Sequence, residues 1–472
     1  MVSPNPTLTD VRNKWKSKLL NLAWIILPLL GFVFFLYRNA HESAWVDENW
    51  TLGVSSTSFA SLWGHLTKDY NPPLYYYLLW LFRWIFGPSL FVARTFSALT
   101  SFGLLLLGAW PFRRACGNRA ALLFIALAVL SPAYVAYAQD VRMYSMAAFS
   151  VFGMAVYLYL AIRDGNRADW AKALLFTIFA MYVHIYALVG AFFVGVYCLL
   201  YAIIVNRKRI VHCLAVLGIS FVAFLPWLFV LYGQIQKASQ NYWIPPLDQK
   251  IMREAIVYPL GMKFFTPDIA SVAAAILFIA SVAGIFVAMR KAKTYALAAV
   301  CFLAFFSTTE FMFVVSWLVR PFVWGRYMLP LTGLLLAAAA FGLAQLRRGI
   351  TVHAMAILLI CELPFLIAIY ANRYGGPMTE VVEYMKANLK PGDVIVSTDE
   401  HAMVSFSNYF PGNTNILYQR PDSSIYMELT VFPNARIVTN LQDINPGGNR
   451  VWVIRLSGGA NYAAYVDVAN YY

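Results

Sequence analysis

YALVGAFFVGVYCLLYAIIV (residues 186–205) carries no charge, and the five residues that follow it, NRKRI (206–210), carry three bases. A helix needs about 20 apolar residues to cross a hydrocarbon core about 30 Å thick. Short connectors rich in Lys and Arg stay on the cytoplasmic side. The stretch therefore reads as a membrane span that ends inside the cell. Runs of the same kind, or nearly so, cover 19–37, 90–110, 120–138, 143–162, 172–183, 211–232, 270–289, 295–317, 327–345 and 350–370. The stretch 172–205 is too long for one helix and is expected to break at Tyr182-Val183-His184-Ile185-Tyr186. The sequence thus predicts an α-helical polytopic membrane protein with eleven spans. Composition agrees: of 472 residues 61% are apolar and 12% charged, with mean hydropathy +0.62. Soluble domains hold about 45–50% apolar and about 25% charged residues, so a soluble enzyme, a disordered chain and a disulfide scaffold are excluded. The five cysteines lie in or beside apolar runs and read as reduced.

The net charge is +14, which alone could suggest a nucleic-acid partner. Its location says otherwise. The connectors 1–18, 111–119, 163–172, 206–210, 290–293 and 347–348 together hold 18 of the 36 bases and three of the 22 acids. The inner connectors are therefore strongly positive and the rest of the chain is close to neutral. This is a topology signal, and no nucleic acid is expected. It also settles segment 73–87, which is apolar but short. If it crossed, the three arginines of 111–119 would lie outside. It is read as an interfacial helix within the first outer loop, 38–89, with Tyr75–Tyr77 in an aromatic belt and Arg83 snorkelling to water. The N-terminus is then inside, with the first span an uncleaved anchor. Residues 1–370 form the membrane domain. Residues 371–472 change character, with turns at Pro391-Gly392-Asp393, Pro411-Gly412-Asn413 and Pro446-Gly447-Gly448. Helical spacing over 379–389 and strands over 393–398, 436–440 and 450–456 predict a small α/β domain on the outer face.

On this topology the polar residues collect on one side. The first outer loop holds WVDENWT (45–51), with the adjacent acids Asp47 and Glu48, and KDYNPPLYYY (68–77), with Asp69. The next outer turns hold YAQDVRMYS (137–145), with Asp140, Arg142 and Tyr144, and YVHIY (182–186), with His184. RPFVWGRYMLP (320–330) adds Arg320, Arg326 and Tyr327. A carboxylate there can take a proton from a hydroxyl, and arginines can clamp a phosphate. Outside the cytoplasm nucleotide sugars are not expected, so a lipid-linked activated donor is the natural substrate.

An acidic pair after the first span, then D-x-x-P-P-L-Y-Y (69–76), Y-A-Q-D-x-R-M-Y (137–144), Y-x-H-x-Y (182–186) and R-Y-x-L-P (326–330) resembles the GT-C glycosyltransferases of the protein O-mannosyltransferase and aminoarabinose transferase type (glycosyltransferase family 39). The resemblance runs over residues 20–345 and does not reach the C-terminal domain. It implies a GT-C membrane domain and an inverting transfer of a sugar, mannose or a pentose, from a polyprenyl-phosphate donor to a protein, lipid or glycan acceptor outside the cytoplasm, in the inner or plasma membrane. It implies Asp47 as the base, Glu48 as the pair's second member, and Asp140 as a second acidic position. Arg142 and Arg326, with Tyr327, would hold the donor phosphate. His184, Tyr144 and Asp69 are further site candidates. Asp47, Asp140 and His184 carry donor atoms suited to a divalent cation, but no ligand spacing demands one, so a cofactor is left open.

Structural readings stand beside these. Asp140 and Arg142 could pair to cap a span; Arg326 could snorkel; His184 could be a satisfied turn residue. Arg94 reads as a snorkeller or the partner of a loop acid. Glu310 and Glu362, inside spans, could line a donor groove. Asn49-Trp50-Thr51 is a chance glycosylation motif. A transporter or lipid flippase is the alternative reading, but paired halves and midplane Gly/Pro breaks are missing from the sequence. A non-catalytic scaffold would not require acids at 47 and 140.

Overall fold

The computed structural model describes residues 8–238, 244–259, 267–290, 295–371, 378–419, 429–444, 447, 449–457 and 463–469. The remainder, including Pro446 and Gly448 of one expected turn and the first seven residues, lies outside the described residues. Helix α1 (Leu8–Leu36) leads into three short helices, α2 (Val46–Val54), α3 (Phe59–Leu66) and α4 (Leu74–Phe86). Helix α5 (Leu90–Leu107) continues through a π-turn at Gly108–Phe112, where Pro111 lacks an N–H, into α6 (Arg113–Cys116). There follow α7 (Asn118–Leu130), α8 (Pro132–Ala138), α9 (Tyr144–Asp164), α10 (Arg167–Val183), α11 (Ile185–Val205), α12 (Ile210–Ala238), α13 (Gln249–Val257), α14 (Pro267–Arg290), α15 (Ala296–Leu318), α16 (Thr332–Gln345) and α17 (Arg348–Ala371).

Among the described residues eight helical segments are long and apolar enough to cross a membrane. The pair α7 and α8, bent by 71° at Ser131, would make a ninth. Helix α1 is 29 residues long and apolar through Asn21–Leu36, whereas the expected span α10 has 17 residues. Its first turns are given over to Arg167, Asp169 and Lys172, and Asp169 is ion-paired with Arg114. The break at His184 falls where the sequence puts it. The most buried helices are α9 and α16, which the other spans surround. Helix α14 packs on α16 through glycines: a Cβ at Gly284 would lie 2.0 Å from the Gly342 Cα. The five cysteines are free.

Beyond α17 come α18 (Met378–Asn388), β1 (Val394–Ser397), α19 (Glu400–Tyr409), β2 (Thr414–Tyr418), β3 (Ala435–Val438), β4 (Val451–Ser457) and β5 (Ala463–Ala469). The sheet order is β3-β2-β1-β4-β5, parallel except for β5. Val394 pairs with Thr414 on one side and Val451 on the other. Ile395, Trp452 and Ile454 pack with Val382, Met385, Ala402 and Phe406 of the two helices, and Val394, Val396, Ile416 and Val438 form the other face. Asp393, the buried start of β1, accepts hydrogen bonds from Arg450 (2.6 Å) and Trp452 (2.9 Å).

This domain is bolted onto α2. Asn408 Nδ2 donates to Asn49 Oδ1 (2.8 Å), the Tyr409 hydroxyl to the Ala44 carbonyl (3.0 Å), and the Phe432 ring lies against Gly53. Met403, Val404, Leu429 and Val431 join the core of the helical domain. Asn49 is fully buried here, which fits a chance glycosylation motif.

Two expectations about segment 73–87 are corrected. Arg83 does not snorkel. It is buried and donates to the Leu52 carbonyl (2.9 Å), Ser56 Oγ (3.1 Å) and the Pro88 carbonyl (3.2 Å), so backbone oxygens take the place of water. Tyr75 and Tyr76 are fully buried rather than in a belt, because they lie on the face of α4 that packs towards α2 and α5. The exposed apolar residues of α4 are Leu81, Trp84, Ile85 and Phe86.

The glycine contact gives a test. Gly284→Val should force α14 off α16 and cost about 1–3 kcal/mol or more. The purified protein should lose several degrees of melting temperature, whereas Gly218→Val, at a glycine with open space around it, should not.

Candidate functional site

The site is built on α2, and α2 is held by a buried ion pair. The Glu48 side chain has no exposure. Its Oε1 accepts from Arg94 Nε (2.7 Å) and the Val141 N–H (2.9 Å), and its Oε2 from Arg94 Nη2 (2.6 Å) and the Trp45 N–H (3.3 Å). Arg94, on α5, also donates to the carbonyls of Asn39 (2.8 Å) and Glu42 (3.0 Å). Four separate segments meet there: the end of the first apolar helix, α2, α5 and the 139–143 turn. Glu48 thus has the job of positioning α2 rather than of reacting, because its oxygens are engaged and water is excluded. Arg94 is the partner of a loop acid, the second of its two expected roles.

One residue earlier in the same helical turn, Asp47 faces the other way and keeps 19% of its side chain exposed. Two arginines converge on it. Arg326 Nη2 lies 3.1 Å and Arg142 Nη2 4.0 Å from Asp47 Oδ2. Arg142 also donates to Thr51 Oγ1 (3.1 Å) on the next turn of α2. Arg326 lies over the Trp45 ring, 5.3 Å from its centroid, and Trp45 Nε1 donates to Asp140 Oδ1 (3.0 Å). Asp140 is fully buried and does not pair with Arg142; it orients Trp45, the floor on which Arg326 rests. Arg326 does not snorkel.

Behind this cluster is an aromatic wall. Tyr144 contacts His184 (5.3 Å between ring centroids), His184 contacts Tyr327 (5.6 Å), and Tyr327 contacts Tyr186 (5.6 Å). His184 Nδ1 accepts the Tyr186 N–H (3.1 Å) and so caps α11. Burial, then the positive charges of Arg142 and Arg326, push its pKa down to about 3. It is a neutral turn residue, as the structural reading had it. Ser316 Oγ accepts the N–H groups of Phe322 and Val323, both at 2.9 Å, which fixes the loop leading to Arg326.

Asp69 lies on the rim. Asn71 Nδ2 donates to it (3.0 Å), and Gln234 of α12 ties its carbonyl and that of Leu66. Burial raises its carboxyl pKa, with Asn71 and Arg142 opposing. Of the two acids inside spans, Glu310 is exposed at the helix surface, and Glu362 is buried in α17.

Among the described residues no group of three or more His, Cys, Asp or Glu side chains lies together as a metal centre. Asp140 is engaged by Trp45 and His184 Nδ1 by the cap, so Asp47 is not joined by the other two donors. Trp45, Thr51 and the hydroxyl pair Tyr137–Tyr258 (2.9 Å) belong to the surroundings of the site. Sequence reasoning did not single them out. Trp45 and Thr51 flank the acidic pair, which is the signal that could have found them.

No family model matches this chain. No curated protein matches it either. Among solved structures, the crystal structure of ArnT from Cupriavidus metallidurans bound to undecaprenyl phosphate matches with a TM-score of 0.64 at 13% identity, covering 94% of this chain and 98% of that one. The apo structure of the same protein matches with a TM-score of 0.62 at 13% identity, covering 95% and 98%. The likeness, over more than nine-tenths of this chain, is one of fold.

The Glu48–Arg94 pair predicts an asymmetry. Arg94→Met leaves a buried carboxylate unpaired and should cost about 3–5 kcal/mol, seen as loss of folded protein on size exclusion. Asp47→Asn should leave the melting temperature within about 2 °C of wild type, since Asp47 is partly exposed and carries none of these bonds.

Proposed function

We propose that this chain is a membrane glycosyltransferase that moves a sugar from a polyprenyl-phosphate donor to an acceptor outside the cytoplasm, with inversion at the anomeric carbon. What carries the reading is Asp47: a partly exposed carboxylate flanked by two arginines, on the fold of a protein whose crystal structure holds undecaprenyl phosphate. The charge count of the connectors supports an extracytoplasmic site in a multi-pass membrane protein.

The same groups define a sequence of events. Arg326 and Arg142 both lie against Asp47. A phosphodiester anion arriving from the lipid layer competes for both guanidinium groups, which bind phosphate well because their donors are planar and paired. Their shift towards the phosphate unclamps Asp47. The acceptor hydroxyl then attacks the anomeric carbon and gives its proton to Asp47. The carbon–oxygen bond to the phosphate breaks, and its electron pair leaves with the polyprenyl phosphate. Arg142 and Arg326 neutralise the charge that develops on that oxygen. The attack and the departure occur on opposite faces, so the configuration inverts. A single carboxylate suffices; two acting in turn would be the logic of a retaining hydrolase. Mannose and pentoses are the sugars to test, and a protein, lipid or glycan hydroxyl the acceptor. No step requires a metal.

The test is transfer from a panel of radiolabelled polyprenyl-phosphate hexoses and pentoses to membrane-fraction acceptors. Asp47→Asn should lower transfer by about 10²–10⁴, and full activity in that variant would remove Asp47 as base. Arg326→Gln should raise the KM for the donor about tenfold or more and weaken binding of the polyprenyl phosphate product. An unchanged donor KM would remove Arg326 from the phosphate site.

A further inference from the structure

The sheet of the C-terminal domain reverses its winding once. From β1 the chain crosses by α19 to β2 and then to β3, all on one side; β4 returns to the other side of β1 and runs parallel to it. In open parallel sheets, the strands flanking such a reversal leave a crevice at their carboxyl ends, and ligands bind there. In this domain the crevice lies at the ends of β1 and β4, where Ser397 pairs with Ile454.

The last residue of β1 is a buried hydroxyl with nothing to bond. Side chains alternate along a strand. Ile395 packs against Ala402 and Phe406 of α19, so Ser397 faces that same side, beneath the first turn of the helix. It is 1% exposed, and its Oγ has no hydrogen-bond partner among the described residues. Buried polar groups are almost always satisfied, so this orphan at the end of a switch-point strand calls for an explanation.

The residues that follow β1 orient a histidine in the first turn of α19. Asp399 caps α19 by accepting the His401 N–H (2.8 Å), and the same oxygen holds His401 Nδ1 at 3.1 Å. Burial opposes a charged imidazole, but the bond to Asp399 outweighs it and raises the His401 pKa. Among the described residues, the charges facing His401 include Asp399 and Glu400 from its own helix and Asp47 from α2. Helix α19 packs against α2, the helix that carries the proposed base. The stretch STDEHAMV (397–404) has two acids and no Lys or Arg. Arg455 follows Ile454 in β4; the β1–α19 lip itself is acidic and suits hydroxyl groups, which donate to carboxylates and accept from an imidazole.

We propose that this switch-point crevice is the acceptor subsite, that it takes a neutral hydroxyl-bearing carbohydrate, and that Ser397, Asp399 and His401 position the reacting hydroxyl against Asp47. The proposal rests on the transferase reading and deepens it. It also assigns the C-terminal domain a task in the reaction.

The experiment uses the full chain in lipid nanodiscs, the donor panel above, and two acceptor probes: a neutral alkyl oligosaccharide and an alkyl phosphate. Wild type should transfer to the oligosaccharide and not to the phosphate. Ser397→Ala and His401→Ala should each raise the oligosaccharide KM about tenfold, with kcat and donor KM within twofold, and His401→Gln should recover part of the loss. An unchanged acceptor KM in both alanine variants would overturn the proposal. So would a parallel fall in kcat and donor binding, which marks a merely structural role, or a wild-type preference for the alkyl phosphate. Transfer from no donor to either probe would instead overturn the transferase reading itself.

Discussion

The buried pair of Glu48 and Arg94 is the constraint on which the site depends. Two opposite charges removed from water are costly unless their remaining donors and acceptors are met. Here they are met by the backbone of three other segments: the Asn39 and Glu42 carbonyls, the Trp45 N–H and the Val141 N–H. The pair therefore cannot form unless the end of the first apolar helix, α2, α5 and the 139–143 turn are all in place. Once it forms, the helical repeat decides the rest. Asp47 precedes Glu48 by one residue, so it points about 100° away, into the space that Arg142 and Arg326 enter. One acid of the pair is engaged in structure, and its neighbour is left facing the two arginines.

The C-terminal domain acts on the same helix from the other side. Asn408, Tyr409 and Phe432 meet α2 and the residue pair before it at Asn49, Ala44 and Gly53. Helix α2 is nine residues long and would not be stable alone. It is sandwiched between a membrane bundle and a sheet domain, and both partners are needed to hold it. This makes the α/β domain part of the site's scaffold rather than an appendage, and it places α19 close enough for the acceptor role proposed above.

Much of this was open to reading from the chain. The apolar runs placed most of the long helices, because hydrophobicity over 20 residues is a strong signal and little else in a protein produces it. The break at His184 was legible because aromatic and polar residues interrupt a run too long for one helix. The charge of the connectors predicted that the acids and arginines of 47, 142 and 326 would share one end of the bundle, and they touch. What failed were readings that needed a neighbour. Arg83, Tyr75 and Tyr76 were assigned to lipid and water, since a lone amphipathic helix belongs at an interface; in the folded chain α2 and α5 cover that face. Strands β2 and β5 and helix α19 were not anticipated at all, because short strands and a ten-residue helix carry weak patterns.

By itself, then, the sequence determined the solvent: a chain so apolar must lie largely in a bilayer, with an excess of bases expected at one end of the bundle and a mixture of acids and bases at the other. It also determined which residue types meet at that polar end. Only the tertiary structure decided what each does there. Asp47 and Glu48 are chemically alike and adjacent, and nothing in their order says which is buried. That choice belongs to Arg94, 46 residues further along the chain, whose guanidinium claims one carboxylate and leaves the other to the open site.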